Sequence, residues 1–195
     1  MRECKVLLVA VFVLSQLLEI GCGVENVGSE VGSSHSNVAA EPESMPPTRA
    51  INPEILELSA SALCARLSEI QVIDSREPEN SDDQYRALIA KGSEALPCLV
   101  DKITDRKPMH DPRMAPIWQH YSVGDTAVFA ILHIASKDDY ERWKELMLDP
   151  LPPKYREEWK TNGVYAYFNY VSEPKNRSKL QRWWTNWLKQ GKNEQ

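Results

Sequence analysis

The sequence of 195 residues has few of the residue types that form recognisable catalytic or metal-binding motifs. Its four cysteines and four histidines form no Cys-x-x-Cys pair and no cluster at metal-finger spacing. None of its eight glycines belongs to a glycine-rich phosphate loop. Ser122 precedes Val-Gly-Asp and is not in the Gly-x-Ser-x-Gly setting of a nucleophilic serine. These absences exclude zinc fingers, phosphate-loop proteins and serine hydrolases of that type, and the sequence predicts no cofactor.

A strongly basic surface is also missing. The net charge is −5, and the densest group of basic residues lies near the C-terminus. A nucleic-acid site needs a larger basic footprint than this group provides. The pattern therefore predicts a solvated helix face and no nucleic-acid partner. The basic residues are Lys175, Arg177, Lys179, Arg182, Lys189 and Lys192, set against Glu173 and Glu194.

The longest apolar run, Val6 to Leu18, is too short to span a membrane. Thirteen residues at a rise of ~1.5 Å extend about 20 Å, whereas the hydrocarbon core is ~30 Å thick. Arg2 and Lys5 precede the run, as in an export signal. We therefore predict a signal peptide over residues 1–23.

The end of this signal, Leu18-Glu19-Ile20-Gly21-Cys22, resembles a bacterial lipoprotein box. In that family a small residue precedes a cysteine that is lipidated and becomes the mature N-terminus. Gly21 and Cys22 match this pattern, whereas Glu19 and Ile20 depart from it. The resemblance implies a lipid anchor on Cys22; the alternative is ordinary cleavage before Val24. Both alternatives place the protein outside the cytoplasm, in the periplasm or at the cell surface.

The remainder of the chain divides into a tether and one domain. Residues 24–52 are rich in Gly, Ser, Asn, Glu and Pro and have almost no large apolar side chains. Such a segment cannot bury enough surface to offset the entropy of ordering, so we predict a disordered linker. Residues 53–195 are long enough for one domain with a sizeable core.

The pattern of apolar residues predicts an all-α domain. Residues 123–135 are apolar on nearly every side, which is typical of a helix enclosed by others. Ser122 is expected to cap this helix, with Asp125 accepting from the exposed first-turn amides. Amphipathic helices are predicted from Pro53 to about Ile70, and over 82–91, 93–103, 138–148 and 177–190. For residues 164–171 a short helix is favoured over a strand, because no partner strand is evident.

Two stretches resemble HEAT-like helical repeats. Gly92-x-x-Ala95-Leu96-Pro97-x-Leu99-Val100-x-x-Ile103 is similar to the second helix of such a repeat. Val123-Gly124-Asp125-x-Ala127-x-x-x-Ile131-Leu132 resembles the opening of the following unit. The resemblance covers about residues 85–135. It implies a compact stack of helical hairpins and, by analogy, a protein-binding role.

Cys64 and Cys98 are the two cysteines of the domain, and both fall on apolar helix faces. In an oxidising compartment they are expected to form a disulfide. Buried free thiols are the alternative, since cysteine also serves as a small apolar residue.

The sequence favours a non-catalytic domain that binds another protein or an envelope component. A first alternative is a metal-dependent hydrolase centred on His110, Asp111 and His120, which has the ligand types that Zn²⁺ prefers. Asp125 and His133 are about 12 Å apart along one helix and cannot share an ion directly. A second alternative is an immunity or inhibitor protein that blocks a toxin's site.

The last helix is unusually rich in tryptophan. Leu180, Trp184, Trp187 and Leu188 recur on one side at helical spacing. A terminal helix stays ordered only when it is docked. We therefore expect Trp184 and Trp187 to be mostly buried against the central helix and Trp183 to be partly exposed.

Overall fold

A computed structural model describes residues 49–74, 77–113 and 117–191, within a compact unit spanning Pro46–Gln195. The signal peptide, Cys22 and most of the tether lie outside these residues. No helix among the described residues is long and apolar enough to cross a membrane.

The prediction of an all-α domain is confirmed. The described residues form nine α-helices and no strand. Two isolated β-bridges, Ile73 with Arg113 and Pro108 with Ser122, pair the backbone of the long loop before the central helix. The helices are α1 (Pro53–Leu56), α2 (Ala60–Ala65), α3 (Asp83–Ala90), α4 (Leu96–Lys102), α5 (Val123–Ser136), α6 (Tyr140–Leu148), α7 (Pro153–Asn162), α8 (Tyr165–Val171) and α9 (Pro174–Gly191).

Helix α5 is the centre of the domain, as the sequence predicted. Its residues from Val123 to His133 are all buried, and α3, α4 and α6 pack against it. It begins with a capping box: the Ser122 side chain accepts from the backbone amide of Asp125, and the Asp125 side chain accepts from the backbone amide of Ser122. The αL conformation of Lys137 ends the helix, and Asp138 also has a positive φ of 65°.

The N-terminal helix predicted from Pro53 to Ile70 is in fact broken into pieces. Helix α1 is four residues long, and α2 starts anew at Ala60. The Ser59 side chain accepts from the amide of Ala62 at 3.2 Å, so it caps a second helix instead of continuing the first. The polar cap competes locally with helix propagation, although the apolar stripe is continuous.

Helix α2 packs against α4, and the Cys64 and Cys98 sulfurs are bonded to each other across this contact. Their Cα atoms are 6.2 Å apart, within the usual range for disulfides. Pro97 lies in the first turn of α4, where no intrahelical amide bond is lost.

The C-terminal half agrees with the sequence except in α9. Residues 165–171 form the short helix α8, and α9 begins at Pro174, three residues before its predicted start. Trp184 is buried, and Trp183 and Trp187 are partly exposed but mostly buried, as expected. The expected packing partner was wrong, because α9 packs mainly against α4 and α8 and not against the central helix.

Candidate binding groove

Asp111 is not available as a metal ligand, because Arg113 occupies both of its carboxylate oxygens. Oδ1 accepts from Arg113 Nε at 2.9 Å and Oδ2 from Nη2 at 2.6 Å, and the Trp118 amide adds a bond of 2.7 Å. His110 and His120 are exposed, and the His120 ring lies edge-on against Trp118. The part of the chain that the structure describes contains no group of three His, Cys, Asp or Glu side chains suited to a metal. The structure therefore does not bring His110, Asp111 and His120 together as a metal site among the described residues.

The Asp111–Arg113 pair is instead part of the core. Its side chains are 1% and 5% exposed. The Arg113 guanidinium lies over three aromatic rings, with its Cζ 4.6 Å from the centroid of Phe168, 4.7 Å from Phe129 and 5.3 Å from Tyr121. Aromatic faces attract a cation, and the carboxylate neutralises it, so the charge is stabilised despite its burial.

Asp125 belongs to a second buried ion pair, which the sequence did not indicate. Both of its oxygens accept from Arg177 Nη2 at 2.9 Å, and the Tyr167 hydroxyl donates to Oδ1 at 3.0 Å. Ser122 donates to Oδ2 through its amide and its hydroxyl. Burial, followed by the nearby Asp125 charge, raises the pKa of Tyr167 well above its ordinary value. Arg177 therefore does not lie on a solvated face.

His133, the remaining candidate of the central helix, also has a structural contact. Its Nδ1 lies 2.7 Å from the hydroxyl of Tyr85 in α3, and both side chains are buried. Asp125 and His133 are thus held by different partners at the two ends of α5. The two side chains are therefore not placed to act together as an acid–base pair.

A groove of about 660 Å³ lies between the Pro78–Asn80 turn, α3, the end of α5 and the start of α6. Tyr140 and Trp143 of α6 form one wall, and their rings are parallel within 7° with centroids 6.3 Å apart. Trp143 is fixed by contacts with Phe129 and Trp159, whereas Tyr140 is 67% exposed. The other lining residues are Pro78, Glu79, Ile89, His133, Ser136, Asp138 and Asp139.

The groove depends on local structure that the apolar pattern of α6 did not show. The apolar residues of the amphipathic helix predicted over 138–148 are Tyr140, Trp143, Leu146 and Met147. Only Leu146 and Met147 are fully buried; Trp143 is half-buried and Tyr140, just after the left-handed turn at residues 137–138, is exposed. Two adjacent aspartates before an aromatic helix are the sequence signal of this site.

A second cavity, of about 370 Å³, lies between the loop before α5 and α8. Trp118, His120 and Phe168 line it, together with Arg106 and Arg177. The charge of Arg177 is already neutralised by Asp125. This cavity is smaller than the groove, and its tryptophan, Trp118, is half-buried, whereas Tyr140 of the groove is exposed.

Comparisons with protein-family models, with curated proteins and with solved structures find no match for this chain.

Proposed function

We propose that this chain is an exported, lipid-tethered, non-catalytic domain that binds another protein through the groove beside α6. The observation that carries the proposal is the exposed ring of Tyr140, stacked on the fixed ring of Trp143 at the mouth of a 660 Å³ groove. Aromatic side chains at an open groove are typical of binding hot spots. An immunity or inhibitor protein is one form of this function.

Two further observations support the proposal. Asp111, Asp125 and His133, three of the acidic and imidazole side chains considered above, are engaged in structural contacts within the core. A disulfide between Cys64 and Cys98 is consistent with an oxidising compartment, which an export signal implies.

A site-specific photo-crosslinker tests the binding role. Benzoylphenylalanine in place of Tyr140 should give a discrete protein adduct in cells that make the chain. The same group in place of Glu94, an exposed residue that does not line the groove, should not. Adducts of equal yield at both positions, or at neither, would show that the groove is not a protein-binding site.

The anchor is tested separately at Cys22. We expect a palmitate analogue to label the chain in a bacterial host, and Cys22→Ser to abolish the label. A mature N-terminus at Val24 in the parent chain would instead establish ordinary signal cleavage and contradict the lipid anchor.

A further inference from the structure

The groove has an acidic rim beside its aromatic wall. Glu79, Asp138 and Asp139 are its charged lining residues, and no Lys or Arg lines it among the residues that the structure describes. Lys137 belongs to the same turn as Asp138 but does not line the groove. Three carboxylates near two aromatic faces attract cations and repel anions.

The core of this protein shows how the same combination of groups holds a cation. Arg113 lies over the rings of Phe129 and Phe168 while Asp111 binds its guanidinium. In the core, the cation is a residue of the same chain. In the groove the rings and carboxylates are present, and no Lys or Arg is found among the described residues that line it.

We infer that the groove binds a lysine or arginine side chain presented by an extended segment of the partner protein. The alkyl stem lies against Tyr140 and Trp143, and the charged end meets the carboxylates of Asp138 and Asp139. This inference rests on the proposed function, because it names the chemistry of the partner that the groove binds.

The direct test uses two peptides that differ only in charge. Acetyl-Gly-Gly-Arg-Gly-Gly-amide should shift the Trp143 indole NMR signal saturably, whereas the peptide with citrulline in place of arginine should bind about tenfold more weakly or not at all. The signal is assigned with Trp143→Phe. Equal binding of the two peptides would overturn the inference, because citrulline keeps the shape and loses the charge.

The carboxylates are tested with an isosteric double variant. Asp139 caps α6 by accepting from the Arg142 amide, and Asp138 has a positive φ, so Asn preserves both the cap and the turn. Asp138→Asn/Asp139→Asn should weaken binding of the arginine peptide at least fivefold. The control variant, Glu94→Gln/Asp101→Asn, removes two exposed charges that do not line the groove and should leave binding unchanged. If the two double variants weaken peptide binding equally, the carboxylates of Asp138 and Asp139 do not contact the peptide.

The failure of this inference can be told apart from failure of the proposed function. If benzoylphenylalanine at position 140 crosslinks to a protein, but the arginine peptide does not bind and the aspartate variant crosslinks normally, the groove binds a partner of different chemistry. If the chain instead binds phosphatidylcholine vesicles in a manner lost in Tyr140→Ala, the cation is a lipid headgroup and the inference is overturned.

Discussion

Removing the Arg177 guanidinium should destabilise the domain strongly. The Asp125 side chain is 1% exposed, and Arg177 supplies the opposite charge at 2.9 Å. In Arg177→Met the carboxylate stays in the core without that charge, and breaking a buried pair in this way costs about 3–5 kcal/mol. Donors from Ser122 and Tyr167 remain, so we expect a loss at the lower end, about 3 kcal/mol. For a domain of this size, that loss lowers the melting temperature by about 6–12 °C.

Guanidinium unfolding followed by circular dichroism measures the effect on the chain without residues 1–23 and with its disulfide intact. The double variant Asp125→Asn/Arg177→Met removes both charges, so it should be more stable than the sum of the single effects predicts, by at least about 1 kcal/mol. Arg182→Met, an exposed change on the same helix, is the control and should shift stability by less than about 0.5 kcal/mol. Strict additivity, or an Arg177→Met variant as stable as the control, would refute the role of the pair.

Three further predictions concern other parts of the core. Gly124→Ala should cost about 1–3 kcal/mol in chemical unfolding, because the new Cβ would lie 2.9 Å from the Asp105 carbonyl oxygen and still closer to that of Ile103. Cys64→Ala/Cys98→Ala should lower stability by about 2–4 kcal/mol relative to the oxidised chain, and a chain unaffected by reducing agent would contradict this. Burial raises the pKa of three tyrosines above the ordinary value of 10.0, so the stability they contribute below that pH is lost as pH rises beyond it. These tyrosines are Tyr85, Tyr121 and Tyr167. Absorbance at high pH should show that their hydroxyls ionise only when the domain unfolds. Ionisation of these hydroxyls in the folded domain would contradict the prediction.

Local signals in the sequence predicted the central helix well, because all of its determinants lie within one segment. The apolar residues follow one another from Val123 onward, and the capping residues Ser122 and Asp125 are close together at the start of the same helix. The break at Ser59 was missed for a related reason. The Ser59 cap lies within the apolar stripe, and the stripe by itself gives no sign of the break.

The partner of Asp125 could not be predicted in the same way. Arg177 is 52 residues later, and its charge resembles that of the exposed lysines and arginines around it. The groove depends likewise on how α6 is placed relative to α3 and the Pro78–Asn80 turn, which no single segment specifies. The resemblance to HEAT-like repeats stays a prediction; the helical class does not depend on it.

The position of Arg177 also affects how the chain matures. Cys64 and Cys98 are 34 residues apart and can meet while the C-terminal half is still being delivered. The carboxylate of Asp125 cannot be neutralised until α9 has emerged, because its counter-charge lies in that helix. The Asp125–Arg177 pair therefore becomes available later in synthesis than the Cys64–Cys98 disulfide does.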